Sequence, residues 1–402
     1  MERIFIVAAK RTPIGNFNGA LSSLSGVELG AAAMRAALDQ VELPLEQIDE
    51  VIVGSVLTGG TGMGPGRQAA IRAGLPESVP AYTINMICGS GMRAIMDAAS
   101  HIRAGDSDIV LTCGMESMSN ACYTTSGQVR RGYRLGHQGL EDSILKDGLT
   151  DAFHHYHMGI TAENIATQLS ISREEQDAFA LDSQRKAAQA IEMRYFDAEI
   201  APVTIDLRKR QINVTQDEYP RADCTYQALQ NLAPAFDKNG SVTAGNASGI
   251  NDGASAILLV SGSALKRHHL TPIAELIEYG QGAIAPEVMG LGPVSAIANT
   301  LTKADMAIED IDLFELNEAF AAQALGVIRS LTHQHNIDEP WILKRSNVCG
   351  GAIALGHPVG ASGNRIVTTL VHQLQRTRCD YGLASLCIGG GMGTAMIIKR
   401  CY

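Results

Sequence analysis

Three side chains able to do covalent or acid–base chemistry each stand beside glycines in this 402-residue sequence. Cys88 lies in the segment ICGSG, between a strand-like and a helix-like stretch; His357 lies in LGHPVG, and Cys387 opens CIGGGMG. Unpaired N–H groups and the dipole at a helix start favour a thiolate, and a nearby imidazole can act as its base. Taken singly, Cys88 equally fits a buried core thiol, and His357 fits a loop histidine bonded to the backbone.

Two further features carry similar alternatives. The glycine run after Cys387 can present backbone N–H groups to an oxyanion, or it can simply form a tight turn into the last strand. Asn317 ends a strand-like segment, and on local grounds capping the following helix is favoured over catalysis. His154, His155 and His157 suggest a metal site, but no further cluster of ligands accompanies them.

A nucleotide-binding interpretation of the Cys88 loop is weaker. The loop satisfies the GxGxxG/A pattern of dinucleotide-binding turns through Gly89, Gly91 and Ala94. That pattern also needs an acidic residue at the end of the next strand. Asp106 and Asp108 instead precede the next strand, so this interpretation is discounted.

Composition limits the partners and the location. The net charge of −10 gives no general attraction to nucleic acid or to an anionic membrane, so neither is expected as a partner. No apolar stretch reaches the roughly 18 residues of a spanning helix. The start, MERIFIV, predicts a strand and lacks the features of a signal peptide, which favours a cytoplasmic location. None of the eight cysteines forms a CxxC pair, so reduced thiols are expected.

The order of elements predicts an α/β protein of two or three domains. Strand-like and helix-like segments alternate at both ends of the chain, which is typical of α/β folds with buried strands. The middle, from about residue 119 to 253, is more polar and irregular. It contains a helix that starts at Ser172, with Glu175 completing a capping box. We interpret this middle region as an insertion or lid on an α/β frame.

The two ends of the chain also resemble each other. Residues 46–54 align with 309–317, and residues 108–114 align with 382–388, so that Cys113 falls opposite Cys387. The alternative is chance similarity between two α/β segments. If the duplication is real, two similar halves meet, and a site can form where their strand ends converge.

Together these motifs resemble the thiolase family, almost from end to end. The resemblance also includes RTPIG at 11–15, GMESMS at 114–119, YHMG at 156–159, NASG at 246–249 and NEAF at 317–320. It implies an α/β thiolase fold: two similar βαβ-rich halves in a five-layer αβαβα arrangement, with an inserted loop domain. The halves would span residues 1–270, including the loop domain at about 119–250, and residues 271–402.

Within the family the resemblance is greatest to the acetoacetyl-CoA thiolases. It implies an acyltransferase that condenses two acetyl-CoA reversibly to acetoacetyl-CoA and CoA through an acyl-cysteine. By motif match, Cys88 is the acylated nucleophile, His357 activates it, and Cys387 is the acid/base at the α-carbon. Asn317, through a water, joins His357 in the oxyanion site for the enolate. The N–H groups of Cys88 and Gly389 would hold the oxyanion of the acyl intermediate.

The same resemblance implies contacts to coenzyme A. Ser248 and His157 would lie near the pantetheine arm, and Met158 would narrow the acyl pocket to two- to four-carbon groups. Less specific matches along the CoA channel are Arg221, Leu149, Ala244, Phe236 and Phe320. CoA is the substrate, so no metal, cofactor or prosthetic group is expected. A homo-oligomer is expected, with a tetramer favoured and a dimer possible, in fatty-acid metabolism.

Some residues depart from the family pattern. Cys349 stands where Asn usually precedes Gly-Gly, and Cys122 stands where Pro usually follows Asn-Ala. The main alternative function is a degradative 3-ketoacyl-CoA thiolase of broad chain length, which would share all four catalytic residues. Three less favoured alternatives are a decarboxylative ketoacyl synthase, a non-catalytic CoA- or lipid-binding protein, and a dinucleotide-binding oxidoreductase. A ketoacyl synthase would need two histidines with its cysteine, where this chain has Asn317 and Cys387.

Overall fold

The computed structural model describes residues 2–207 and 210–402, which form a mixed α/β protein. Its strands are β1 (Ile4–Arg11), β2 (Gly15–Asn16), β3 (Glu50–Gly54), β4 (Ala81–Ile84), β5 (Ile109–Ser117), β6 (Tyr123–Thr124), β7 (Glu141–Asp142), β8 (Val203–Leu207), β9 (Arg210–Val214), β10 (Asn251–Ser261), β11 (Ala274–Ala283), β12 (Leu313–Leu316), β13 (Tyr381–Ile388) and β14 (Met392–Arg400). Its α-helices are α1 (Gly26–Leu38), α2 (Pro65–Ala73), α3 (Ser90–Ala104), α4 (Met158–Gln168), α5 (Arg173–Glu192), α6 (Tyr226–Gln230), α7 (Gly262–Arg267), α8 (Gly292–Ala304), α9 (Ala321–His335), α10 (Glu339–Arg345), α11 (Ala352–Leu355) and α12 (Val359–Thr377).

One large sheet runs through both halves of the chain. Its order is β12-β13-β14-β11-β1-β10-β5-β3-β4, with the short β2 paired to β10. The halves join where β1 pairs antiparallel with β11, over Ile4–Ile6 and Ala274–Leu276. In each half the parallel strands, β3 with β5 and β12 with β13, end on the side where the glycine-rich loops begin. That edge is where side chains from both halves can converge.

Each half contains an equivalent pair of hydrogen bonds at the start of its strands. The Asp49 carboxylate accepts bonds from the backbone N–H groups of Asp108 and Ile109, at 2.7 and 2.8 Å. The Asp312 carboxylate accepts bonds from the N–H groups of residues 380 and 381, both at 2.9 Å. Because the same device recurs at matching positions, the alignment of 46–54 with 309–317 is confirmed.

The alignment of 108–114 with 382–388 is wrong by two residues. Strand pairing places Glu50 beside Val110, and Leu313 beside Gly382. The residue equivalent to Cys387 is therefore Met115, not Cys113. Sequence similarity between two apolar strands does not fix their register, because one buried aliphatic residue substitutes for another.

The central helices also occupy equivalent positions. Helix α3 starts two residues after Cys88, and helix α12 starts two residues after His357. The two helices pack on each other and on the inner faces of both halves, with Ile95 and Ile366 in the same core as Ile6 and Met396. Helices α1 and α2 cover the outer face of the first half, and α8 and α9 cover that of the second. Because α3 and α12 lie between the strands of the first half and those of the second, the two parts of the continuous sheet form separate β layers. The result is the expected five-layer αβαβα order.

Glycines allow α3 and α12 to approach closely. A Cβ added to Gly363 would lie 2.4 Å from the backbone nitrogen of Met92, and one added to Gly91 would lie 2.7 Å from the nitrogen of Asn364. Both are well inside contact distance, and the opposing atoms are backbone. Backbone atoms cannot rotate away, so any larger residue must separate the helices.

Gly363→Ala is therefore expected to destabilise the protein by about 1–3 kcal/mol. Elsewhere in a helix the same change typically stabilises by about 1 kcal/mol, so the sign itself is diagnostic. Thermal or denaturant unfolding of the purified variant would measure it. The matched control is Gly127→Ala, because a Cβ there would meet no atom within 4 Å. Equal stability of the Gly363 variant and the wild type would contradict the packing described here.

The inserted region lies between β5 and β10 and is tied to the frame by a buried ion network. The fully buried Arg11, at the end of β1, bonds Glu199 at 2.5 Å and Asp217 at 2.7 Å. The helix predicted from Ser172 is confirmed as α5, with both bonds of its capping box in place. The proposed boundary at residues 270 and 271 falls in the coil between α7 and β11.

Candidate active site

A cavity of about 320 Å³ lies where the loops of both halves meet the inserted region. The predicted residues along its wall are Cys88, Leu149, His157, Met158, Phe236, Ala244, Ser248, Phe320, His357, Cys387 and Gly389. Met118, Tyr219, Ile250, Met289 and Val359 complete much of the wall and had no sequence signal as site residues. Asn317 and Arg221 are not part of this wall.

The Cys88 loop is held in an unusual conformation. Ile87 has a φ of +47°, which is rare for a β-branched residue and stores strain. The Ser90 hydroxyl fixes this turn by accepting from the N–H of Met86 at 2.8 Å and donating to the carbonyl of Ile87 at 2.7 Å. Gly89 fits closely against Ile388, because a Cβ there would lie 2.4 Å from the terminal methyl of that side chain and would force it to move. No sequence pattern indicated this strained turn. The Cys88 that follows it lines the cavity.

Burial raises the pKa of the Cys88 thiol to about 11, although the N–H groups of Gly389 and of Cys88 itself lower it. The expectation that the helix start would favour a thiolate is therefore wrong. The N–H groups are in place, but desolvation of the sulfur outweighs them. Cys88 therefore rests as a thiol.

His357 lines the same cavity as Cys88, and its backbone and its ring are each fixed by a hydrogen bond. Its backbone N–H donates to Asn251 Oδ1 at 3.0 Å, and its Nδ1 lies 2.6 Å from Ser362 Oγ. The Ser362 hydroxyl donates to the Pro358 carbonyl at 3.1 Å, so Nδ1 must carry the hydrogen that bonds Ser362. Nε2 then holds a free lone pair, and it has no partner among the described residues. Burial, with a smaller effect of Arg365, lowers the pKa of His357 to about 4, so the ring is neutral.

Cys387 and Gly389 reach the cavity wall from the end of β13. Burial raises the pKa of the Cys387 thiol, and the nearby Cys88 sulfur raises it further. The following glycine run forms the turn that pairs Ile388 with Met392. The backbone N–H of Gly389 also lowers the pKa of the Cys88 thiol, and its predicted use as an oxyanion donor stays a prediction.

Asn317 lies just behind the cavity, at the end of β12. The prediction that it caps the next helix is wrong, because α9 begins at Ala321 with Phe320 as the residue before it. The side chain of Asn317 is buried instead, and its Oδ1 accepts from Arg365 Nη2 at 3.4 Å. Its Nδ2 has no partner among the described residues.

Aromatic rings shape the outer part of the cavity. The His157 ring stacks on Phe236, with centroids 4.5 Å apart, and Phe236 meets the edge of Phe320 at 6.1 Å. His157 also accepts from the N–H of Gly159 and so caps α4. Its role in this wall explains the residue better than a metal does. Among residues 2–207 and 210–402, no cluster of three His, Cys, Asp or Glu side chains is placed to hold a metal ion.

Arg221 lies outside this cavity, in a neighbouring surface groove that shares only Tyr219 and Ile250 with it. Its guanidinium sits 5.7 Å from the centre of the Tyr219 ring. Arg221 thus lies beside the cavity and not in its wall, and its predicted place along the CoA channel stays a prediction.

The Cys88 loop cannot receive a dinucleotide. Gly91, which would have to face a pyrophosphate, is covered by the backbone of α12 at Gly360 and Asn364. The space that a phosphate would need is filled by protein. Separately, none of the helices in the described part of the chain is both long and apolar enough to cross a membrane.

Comparison with known proteins agrees with this geometry. Residues 4–263 match the family model "Thiolase, N-terminal domain", and residues 270–400 match "Thiolase, C-terminal domain". The chain is 50% identical to an acetyl-CoA acetyltransferase of Pseudomonas aeruginosa over 401 residues, covering all of both chains. The chain therefore belongs to the thiolase family.

Solved structures agree with the fold. An acetyl-CoA acetyltransferase of Bacillus anthracis superposes with a TM-score of 0.95 at 43% identity, covering 100% of this chain and 99% of that one. The human mitochondrial 3-ketoacyl-CoA thiolase in complex with CoA superposes with a TM-score of 0.93 at 41% identity, covering 100% and 98%. Similarity of fold alone does not separate these two activities.

Proposed function

We propose that this chain is an acetyl-CoA C-acetyltransferase that interconverts two acetyl-CoA with acetoacetyl-CoA and CoA. One observation carries the proposal. The Cys88 thiol, the N–H of Gly389, the free Nε2 face of His357 and the Cys387 thiol all border one largely apolar cavity. This set contains a nucleophile, an oxyanion donor, a base and a second proton carrier, as acyl transfer with carbon–carbon cleavage requires.

In the first half of cleavage, His357 Nε2 takes the Cys88 proton while the sulfur attacks the ketone carbon of acetoacetyl-CoA. The N–H groups of Cys88 and Gly389 hold the resulting oxyanion. Collapse of this intermediate breaks the bond between the ketone and α-carbons and leaves acetyl-Cys88 and an acetyl-CoA enolate. The N–H of the His357 imidazolium and Asn317, through a water, hold the enolate oxygen.

Cys387 carries the remaining proton transfers of the reaction. Its thiol donates a proton to the enolate carbon, and acetyl-CoA leaves. The thiol of an incoming CoA returns a proton to the Cys387 thiolate, and the CoA sulfur attacks acetyl-Cys88. The Cys88 sulfur leaves and recovers its proton from His357. A raised pKa suits Cys387, because it rests protonated for cleavage and is a strong base for the reverse condensation.

The direct test is CoA-dependent cleavage of acetoacetyl-CoA, run beside a long-chain 3-ketoacyl-CoA. Strong preference for the four-carbon substrate supports the proposal. Comparable rates on both would favour the alternative, a broad-range degradative 3-ketoacyl-CoA thiolase. No turnover of either would contradict thiolase activity and would direct attention to Cys349, which is fully buried in the cluster of Leu355 and Phe196 behind the His357 loop.

Met158 is the residue on which the choice between these substrates rests. It is 6% exposed and lines both the main cavity and a second cavity of about 500 Å³, which also share Ile87, Gly148 and Gly389. The Met158 side chain thus forms part of the wall between them. Shortening that side chain is expected to connect the two spaces while leaving the Cys88 and Cys387 thiols unchanged.

Met158→Ala is accordingly expected to raise the kcat/KM ratio of six-carbon to four-carbon 3-ketoacyl-CoA about tenfold. One or two methylenes in an apolar pocket are worth about 1–3 kcal/mol of discrimination, so an effect of this size is reasonable. Met193→Ala serves as the control, because Met193 is exposed and outside both cavities. An unchanged ratio would show that another residue limits the acyl chain.

We also propose a homo-oligomer, with a tetramer favoured. Strand β4 lies at the edge of the large sheet, where its outer backbone groups have no strand partner in the described chain. The segment between β5 and α4 exposes Tyr123, Leu135 and Leu140, which are large apolar side chains. Unpaired edges and exposed apolar residues are typical of association surfaces. Light scattering of the purified protein would test this, and a monomer would contradict it.

The remaining proposals concern chemistry and context. Acetyl-Cys88 carries the acyl group and CoA is itself the substrate, so we propose that no resident cofactor is required. Activity that persists after dialysis against a chelator would support this, and loss restored by a metal would contradict it. The cytoplasmic location and the role in fatty-acid metabolism stay predictions.

A further inference from the structure

Arg365 is a buried cation that the mechanism above does not use. It lies on α12 and is 2% exposed. Its Nη1 is 3.6 Å from Glu315 Oε2, and Nη1 makes no hydrogen bond among the described residues. Its Nη2 donates to Asn317 Oδ1 at 3.4 Å. Burying a guanidinium costs several kcal/mol, so a buried arginine with so few bonds calls for another explanation than stability.

The guanidinium restricts the Asn317 amide to one orientation. An arginine can only donate hydrogen bonds, so the amide oxygen of Asn317 must face it. The amide NH₂ must then face the opposite way, and this nitrogen is buried without a partner. A free asparagine could turn either end toward the cavity, because the two ends have nearly the same shape.

We infer that Arg365 is a positioning residue that fixes the Asn317 amide with its NH₂ toward the site of the enolate oxygen. This inference rests on the proposed function, because the enolate oxygen is its target. The main-chain N–H of Asn317 is already used, donating to the Ser385 carbonyl at 3.0 Å. Only the side-chain NH₂ is therefore left to serve the reaction. Glu315 lies 3.6 Å from Nη1 of the same guanidinium and adds a second contact that holds it.

The inference separates the two halves of the reaction. Acyl transfer between acetyl-CoA and CoA needs Cys88 and His357 but forms no enolate. Incorporation of deuterium from solvent into the acetyl-CoA methyl group needs the enolate. A residue that acts through Asn317 should affect the second process and spare the first, whereas a general loss of structure lowers both.

The experiment uses Arg365→Lys, Asn317→Ala and the double variant, each assayed for both processes. Lysine keeps the charge but cannot span Glu315 and Asn317 with a planar fork. We expect Arg365→Lys to lower deuterium incorporation about tenfold or more, while exchange of labelled CoA changes less than about twofold. In the Asn317→Ala background the lysine change should have no further effect, because its target is absent. The control is Arg376→Lys, at an exposed arginine on the same helix.

Asn317→Asp gives an independent test that does not require altering Arg365. The new carboxylate would face the Arg365 guanidinium and stay paired with it. The melting temperature of the variant should therefore stay within a few degrees of wild type, while deuterium incorporation is lost. A sharp fall in melting temperature would contradict the contact. Equal loss of both processes in Arg365→Lys, or additive losses in the double variant, would overturn the inference. A wild type inactive in both assays would instead overturn the proposed function.

Discussion

Replacing Cys88 with serine is expected to lower acetoacetyl-CoA cleavage by about 10⁴-fold or more, the scale seen when an enzyme loses its nucleophile. The hydroxyl keeps the size and position of the thiol but is a far weaker acid. The neutral His357, whose pKa is lowered to about 4, is too weak a base to activate it. The acyl-enzyme should then fail to accumulate when the variant is mixed with acetyl-CoA.

Mass spectrometry of the intact protein would measure the acetyl adduct directly, and a coupled assay would measure turnover. Cys401→Ser is the matched control, since it makes the same chemical change at a cysteine outside the cavity. The control should form the adduct and keep near wild-type turnover. A Cys88→Ser protein with substantial activity would remove Cys88 from the nucleophile's role.

Replacing Cys387 with alanine is expected to separate the half-reactions. Acetylation of Cys88 should persist, because Cys88, His357 and the Gly389 N–H remain. Condensation should fall by about 10³-fold, within the usual range for loss of a general acid or base. The physical reason is that, apart from the nucleophile Cys88, Cys387 is the one thiol on the described cavity wall that can carry the α-proton.

The measurement combines adduct formation with the rate of acetoacetyl-CoA synthesis. Labelled CoA exchange into acetyl-CoA should stay within about threefold of wild type, while synthesis is lost. Equal loss of both would count against a dedicated proton-transfer role for Cys387. It would indicate instead that the buried side chain shapes the Cys88 pocket, since Cys387 is only 1% exposed.

The sequence predicted the parts of this site that depend on local chemistry. Cys88, His357 and Cys387 were visible because each stands beside glycines at the end of an element, and the structure places all three in one cavity. Asn317 was visible as well, but its local context indicated a helix cap. The structure instead buries its amide against Arg365, a contact across 48 positions that no local pattern contains.

The two-half architecture of the fold was predictable from the sequence, but its strand register was not. Alternation of elements and the repeated Asp49 and Asp312 segments indicated two α/β halves. The register of their strands was not predictable, and the alignment of Cys113 with Cys387 was wrong because apolar residues in buried strands are interchangeable. The pKa of Cys88 was also misjudged. A helix start favours the thiolate, but the degree of desolvation depends on residues from the whole chain.

The matching starts of α3 and α12 have an evolutionary consequence. Cys88 and His357 each stand two residues before a central helix, so they occupy matching places in the two halves of the chain. A self-paired ancestor with a single coding sequence must carry identical residues at both places, because two-fold symmetry allows no other arrangement. A cysteine at one of these places and a histidine at the other therefore require two separately encoded halves. With both halves in one chain, each place can change without the other.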